Sequence, residues 1–284
     1  MAIAYALLSL LFAGLNDLVF KRYGMNTARS VGGFVALVGL VMAAFFLVYG
    51  AAAGSLALDG RGLAIGCFAG LMSVSSNILL IEAMKTSGAG MGSMIFRLNL
   101  VFVAILAWLL LGETWTPWKL AGLALAAAAV VLIFRETRET GRTTAWLSLG
   151  LLGAASFLRA WMGLAYRQAG LWGVADGPFI LVGGLFWIAG GLLYGLASER
   201  RLRVGRRGAG LGLLSGLLAS GIVLFMKRGV NSGEAGIVIP IAQMSFLITF
   251  PAAALLLGER LTPGKWAAMA LAVGAILALA LSHP

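Results

Sequence analysis

The chain has 284 residues, 61% of them hydrophobic and only 11% charged, with a mean hydropathy of +0.99, which excludes a soluble globular domain of mixed composition. The formal charge of +11 does not indicate nucleic acid, because the basic residues are scattered over breaks between apolar stretches rather than gathered on a soluble face with interleaved aromatics; topology and membrane lipid explain them. A single cysteine, Cys67, and a single histidine, His283, exclude an internal disulfide and a Cys/His metal cluster.

About 20 consecutive apolar residues cross a bilayer, and ten such stretches follow one another. The first, residues 2–20, has no basic residue ahead of it and no persuasive cleavage pattern, so it reads as a retained span; Asn16 and Asp17 lie toward its end. Residues 30–52 form the second. The third, 62–84, carries Gly62, Gly66 and Gly70 at four-residue spacing, then Asn77 and Glu82. Gly88-Ala89-Gly90-Met91-Gly92 lacks the strand context and spacing of a phosphate cradle and reads as a tight turn. The fourth span, 88–111, holds Arg97 and Asn99, and the fifth, 117–134, opens on Thr116-Pro117. The sixth, 145–167, holds Arg159 and Trp161; the seventh is 176–197; the eighth, 208–227, repeats the small-residue spacing at Gly208, Gly212, Gly216 and Ser220. Such ridges let backbones approach closely, so the third and eighth spans are expected inside the bundle. The ninth, 234–257, contains Gln243 and Ser245, and the tenth is 263–281.

The chain repeats itself. Leu109-Leu110-Leu111-Gly112-Glu113 recurs as Leu255-Leu256-Leu257-Gly258-Glu259, an offset of 146 residues, and the same offset aligns Thr116-Pro117 with Thr262-Pro263, Lys119 with Lys265, and Arg61-Gly62 with Arg207-Gly208. Five spans per copy make the second copy enter the membrane from the opposite side. The expected architecture is therefore an all-α membrane protein of ten transmembrane helices in two inverted five-helix repeats, residues 1–140 and 141–284. Pro117 and Pro263 suit the first turn of a helix, where an N–H is unsatisfied anyway, and Glu113 and Glu259 stand where a carboxylate meets helix N-terminal dipoles.

Two copies, each with a fourth span ending in Leu-Leu-Leu-Gly-Glu and a fifth opening near Thr-Pro, resemble the EamA family of the drug/metabolite transporter superfamily. The resemblance implies a carrier rather than an enzyme, a cavity lined by the first, third, fourth, sixth, eighth and ninth spans, and residence in a membrane such as the bacterial cytoplasmic (inner) membrane. It implies no particular substrate.

Ionisable groups at bilayer depth cost about 2.5 to 3.5 kcal/mol each at a helix centre, so Asp17, Glu82, Arg97 and Arg159 need partners or a wet cavity. Arginine's fixed fork suits carboxylate or phosphate. On one reading Arg97 and Arg159 hold the acidic group of a small metabolite, anionic or zwitterionic like an amino acid or organic acid. Asn16, Asp17, Asn77, Asn99, Gln243 and Ser245 then surround it, and Trp161 supplies an aromatic wall. On the other, Asp17 neutralises one arginine and the second snorkels or pairs with Glu82. A different function, proton-coupled export of cationic or toxic compounds, would use Asp17 as its only well-placed carboxylate. No Ser/His/Asp set, metal motif or Walker sequence appears, so neither catalysis nor a cofactor is expected, and a duplicated unit can close its own bundle as a monomer. Lys and Arg concentrate near the odd-numbered loops, which the positive-inside rule assigns to the cytoplasm with both termini outside; the family resemblance implies the reverse.

Overall fold

The computed structural model describes residues 1–24, 30–87, 96–97, 99–138, 146–258 and 261–282; the Gly88–Gly92 turn, Glu259 and His283 lie outside the described residues. Where water is absent, backbone polar groups must be satisfied within each crossing segment, and the apolar runs accordingly fold as helices. In chain order these are α1 (Ala2–Gly24), α2 (Val31–Ala52), α3 (Gly60–Ser87), α4 (Asn99–Leu111), α5 (Pro117–Arg138), α6 (Trp146–Leu171) and α7 (Asp176–Tyr194), the last extended by one π-helical turn at Gly195–Glu199. They continue as α8 (Arg206–Ser232), α9 (Ala235–Gln243), α10 (Phe246–Leu257) and α11 (Pro263–Leu281). Among the described residues eight helices are long and apolar enough to cross a membrane, α9 and α10 counting together as one, and α4 and α5 supply two shorter apolar stretches. The helices follow the sequence reading closely, except that the ninth span is broken in its middle and α8 runs past the expected end at residue 227, through Arg228 to Ser232.

The repeated motif now has a local explanation. Gly112 and Gly258 take φ of 66° and 67°, the left-handed conformation that ends a helix, while Leu109, Leu110, Leu255 and Leu256 shortly before them are exposed where lipid would lie. After each motif a threonine caps the next helix: Thr116 accepts the Lys119 N–H at 3.1 Å and Thr262 the Lys265 N–H at 3.3 Å, each with proline in the first turn.

The principal contacts pair α2 with α7, α3 with α6, α1 with α8, and α5 with α11; α3 also packs on α7, and α8 on α2. The small-residue ridges lie in the last two seams. Gly70 faces the Phe186 ring of α7, and Gly216 faces Val41 of α2, each so closely that a methyl group would collide. Chain alternation places Ala2, Gly50, Glu113, Asp176, Ala235 and Leu279 near one end, here called the terminal end. Gly50 against Gly177, Glu113 against Ala235 and Gly122 against Leu279 confirm the grouping.

Candidate functional site

The break in the ninth span builds the centre of the molecule. Pro240 lies inside α9 and Pro251 inside α10, and neither can donate to the helical ladder. Between them the bonds tighten to three-residue spacing, Met244 N–H to the Ile241 carbonyl at 3.1 Å and Leu247 N–H to the Met244 carbonyl at 3.0 Å. The Gln243 carbonyl then accepts from Arg97 Nη1 at 2.6 Å. Arg97 thus bonds to the residue aligned with it at the 146-residue offset.

The rest of the Arg97 fork is engaged as well. Nη1 also donates to Ser245 Oγ at 2.7 Å, and Nη2 donates to Asp17 Oδ2 at 2.7 Å. Ser245 and Thr249 donate to the same carboxylate oxygen at 2.9 and 3.0 Å. The Asp17 side chain is 30% exposed and that of Arg97 12%. Gly14 makes this possible: a Cβ there would lie 2.5 Å from Cβ of Ile248 and 2.8 Å from the Ser245 carbonyl oxygen, so α1 can lie against the break and turn Asp17, three residues on, toward it.

On the α6 side, Ser156 Oγ lies 3.4 Å from the Phe96 carbonyl and the Arg159 guanidinium lies 5.9 Å from the Phe96 ring centroid, so Arg159 sits beside the residue preceding Arg97. Among the described residues Arg159 has no ion pair, and its buried Nε has no hydrogen-bond partner. Asn99 is 0% exposed, and neither its amide nitrogen nor its oxygen is bonded; Arg97 Nε is also unpartnered. Of five buried side-chain polar atoms without a partner among the described residues, four belong to Arg97, Asn99 and Arg159. Buried polar groups are ordinarily paired, so this concentration is chemically informative.

The remaining predicted site residues are placed elsewhere. Asn16 is buried and accepts from Ser215 Oγ at 2.7 Å, joining α1 to α8. Asn77 bonds back to the Ser73 carbonyl and lines a narrow cleft with Val35, Val74, Trp187 and Tyr194, between α3 and the α2/α7 pair. Trp161 packs edge-on against Phe68 and Phe157, both on the outer surface. Gln243 contributes its carbonyl. Thr249 and Gly14 complete the site although no motif marks them.

At the terminal end two further charge clusters occur. Lys119, 2% exposed, reaches Glu113 Oε2 at 2.9 Å and Glu234 Oε2 at 2.6 Å. Glu113 in turn accepts the first two N–H groups of α9, from Ala235 at 2.6 Å and Gly236 at 2.9 Å, so the carboxylate expected to meet a helix N-terminus meets that of α9, across the molecule. Lys227, fully buried, pairs with Asp176 at 3.3 Å, while Arg228 bonds to the Tyr49 hydroxyl at 2.6 Å. Among the described residues no group of three or more Cys, His, Asp and Glu side chains is arranged to hold a metal.

A bundle of helices long and apolar enough to cross a membrane, around a broken span with polar groups at the break, defines an integral membrane protein. Residues 1–135 match the model of the EamA-like transporter family, consistent with the drug/metabolite transporter superfamily. A solved crystal structure of a protein superposes with a TM-score of 0.83 over 99% of this chain and 96% of that one, at 17% identity, and shares its fold. No curated protein matches the sequence.

Proposed function

We propose that the chain is a secondary active transporter that carries a small anionic or zwitterionic metabolite by alternating access, with residues 1–140 and 141–284 as inverted halves. The observation that carries the substrate class is the state of the two arginines. Arg97 is already neutralised by Asp17, whereas Arg159, next to Phe96, has no ion pair among the described residues; the Nε groups of both arginines and the Asn99 amide nitrogen are donors without a partner, and a carboxylate or phosphate accepts from donors of this kind. A zwitterion would in addition place its ammonium group toward the Asp17 oxygen that Arg97 leaves open. The neutralised Asp17 argues against a site built for cations alone.

The contact pattern supports the inverted halves. Under the 146-residue offset, α1 against α8 becomes α6 against α3, and α3 against α7 becomes α8 against α2, while α2 against α7 and α5 against α11 map onto themselves. All of these seams occur. The bond from Arg97 to Gln243 joins equivalent positions and so lies close to the axis that would relate the halves. Rocking about that axis exchanges two states of similar energy. One chain builds the whole site, in keeping with a monomer.

Counterflow in proteoliposomes against carboxylates, phosphorylated metabolites, amino acids and organic cations tests the proposal, with Arg97→Gln, Arg159→Gln and Asp17→Asn in parallel. Exchange of an acidic or zwitterionic solute, strongly weakened by Arg159→Gln, is the expected result. Exchange confined to cations and stopped by Asp17→Asn would replace this reading with proton-coupled cation export.

A further inference from the structure

We propose that the connection between α7 and α8 is a binding surface for anionic phospholipid headgroups. From Arg200 to Arg207 the chain reads Arg-Arg-Leu-Arg-Val-Gly-Arg-Arg, five arginines, three in the connection and two in the first turn of α8, all exposed. The acidic residue beside them, Glu199, is turned inward: its two oxygens accept the Val31 and Gly32 N–H groups at 2.9 and 3.0 Å and the Ser30 hydroxyl at 2.9 Å, capping α2. It is therefore engaged in holding the fold and contributes little toward balancing the arginines outside.

The connection is also held in shape. Arg200 takes a left-handed φ of 52°, the Arg201 N–H bonds to the Gly195 carbonyl at 3.0 Å, and the Arg201 carbonyl accepts from Ser30 Oγ at 3.0 Å. Leu202 packs on Gly195 and Val204 on Gly33 and Gly208, so the alternation of an extended strand of chain turns the leucine and valine in and Arg203 out. Arg206 and Arg207 then occupy the first turn of α8, which has no acidic residue, and cations are disfavoured there by the helix dipole. An anion at this position relieves both the dipole and the mutual repulsion of the guanidinium groups.

What selects lipid over other anions is the band directly beneath. Leu193 and Leu196 on one side, and Leu213, Leu214 and Leu217 on the other, are large, exposed and apolar within one to three turns of the arginines. The acyl chains that cover those leucines bring headgroup phosphates to the level of the arginine row, and the guanidinium fork matches phosphate geometry.

The test is native mass spectrometry of the purified full chain in detergent with an equimolar mixture of phosphatidylglycerol and phosphatidylcholine. The wild type is expected to retain phosphatidylglycerol several-fold over phosphatidylcholine. R200Q/R203Q/R206Q/R207Q should retain the two equally, while R61Q, in the first turn of α3, keeps the preference. If the quadruple variant melts early in lipid-free detergent, R203Q/R207Q takes its place, and the wild-type preference should also shrink in about 0.5 M salt, which screens exposed charges. Equal retention by the wild type, or an unchanged preference in the arginine variants, overturns the proposal. So does displacement of the lipid by millimolar glycerol phosphate, which would mark a site for soluble phosphate.

Discussion

The terminal end and the centre of this molecule handle buried charge in opposite ways. At the terminal end Lys119 lies between Glu113 and Glu234, Glu113 closes the N-terminus of α9, and Lys227 is matched by Asp176. At the centre Arg97 is matched by Asp17, but Arg159 has no ion pair among the described residues and Asn99 bonds to nothing. The first arrangement is fully paired, and its Glu113–Lys119–Glu234 cluster holds two halves of the chain together. The second leaves polar atoms unpartnered, and on the proposed reading this difference separates charge that serves the fold from charge that serves a ligand.

The largest expected effect falls on the fully paired side. Lys119→Met leaves two carboxylates facing each other in a buried place, a loss on the order of 3–5 kcal/mol for breaking a buried pair, and should lower the melting temperature in detergent by several degrees. A variant that melts like the wild type would show that the cluster is not structural. Arg159→Gln should behave in the reverse manner, melting normally while apparent affinity for the transported solute falls about ten- to a hundredfold, the equivalent of a hydrogen bond to a charged group worth about 1.5–3 kcal/mol.

Asn99→Leu sharpens the contrast further. An unpaired buried amide costs about 1–3 kcal/mol, so its removal should leave the protein as stable or more so, yet reduce counterflow. Loss of stability together with full transport would mean that Asn99 serves packing. Gly14→Ala should push α1 away from the Ser245 carbonyl and loosen Asp17 from its partners, seen as a several-fold rise in the half-saturation concentration without loss of expressed protein. The smallest effect is expected for Thr249→Val, which removes one of three donors to Asp17, about 1 kcal/mol, and should shift the half-saturation concentration less than tenfold.

Much of the scaffold was legible before any coordinates. Apolar run length located the spans, and the recurrence of Gly-Glu and Thr-Pro marked the helix ends that Gly112, Gly258, Thr116 and Thr262 indeed form. The pairing of Asp17 with Arg97 is one of two arrangements that the sequence allows for its buried charge. What sequence could not supply was rotation: in a helix apolar on all sides no periodicity distinguishes the face that meets lipid from the face that meets another helix, so Trp161 and Asn77 could not be told from Asn99. The break in the ninth span had a visible cause in Pro240 and Pro251, but prolines in a membrane span can also be absorbed by a kink, and only the freed Gln243 carbonyl shows which happened. Lys119 and Glu234 lie 115 positions apart, and nothing local to either announces the other.

The central claim is that Arg159 and Asn99 await an acidic ligand. The most direct test is thermal stabilisation of the purified protein by the solute identified in counterflow. At about a hundred times its dissociation constant a ligand should stabilise the wild type by roughly 2.7 kcal/mol, and the account predicts that Arg159→Gln and Asn99→Leu, each folded, lose most of that shift. Equal stabilisation of all three proteins would contradict it, and would place the ligand away from the centre of the bundle.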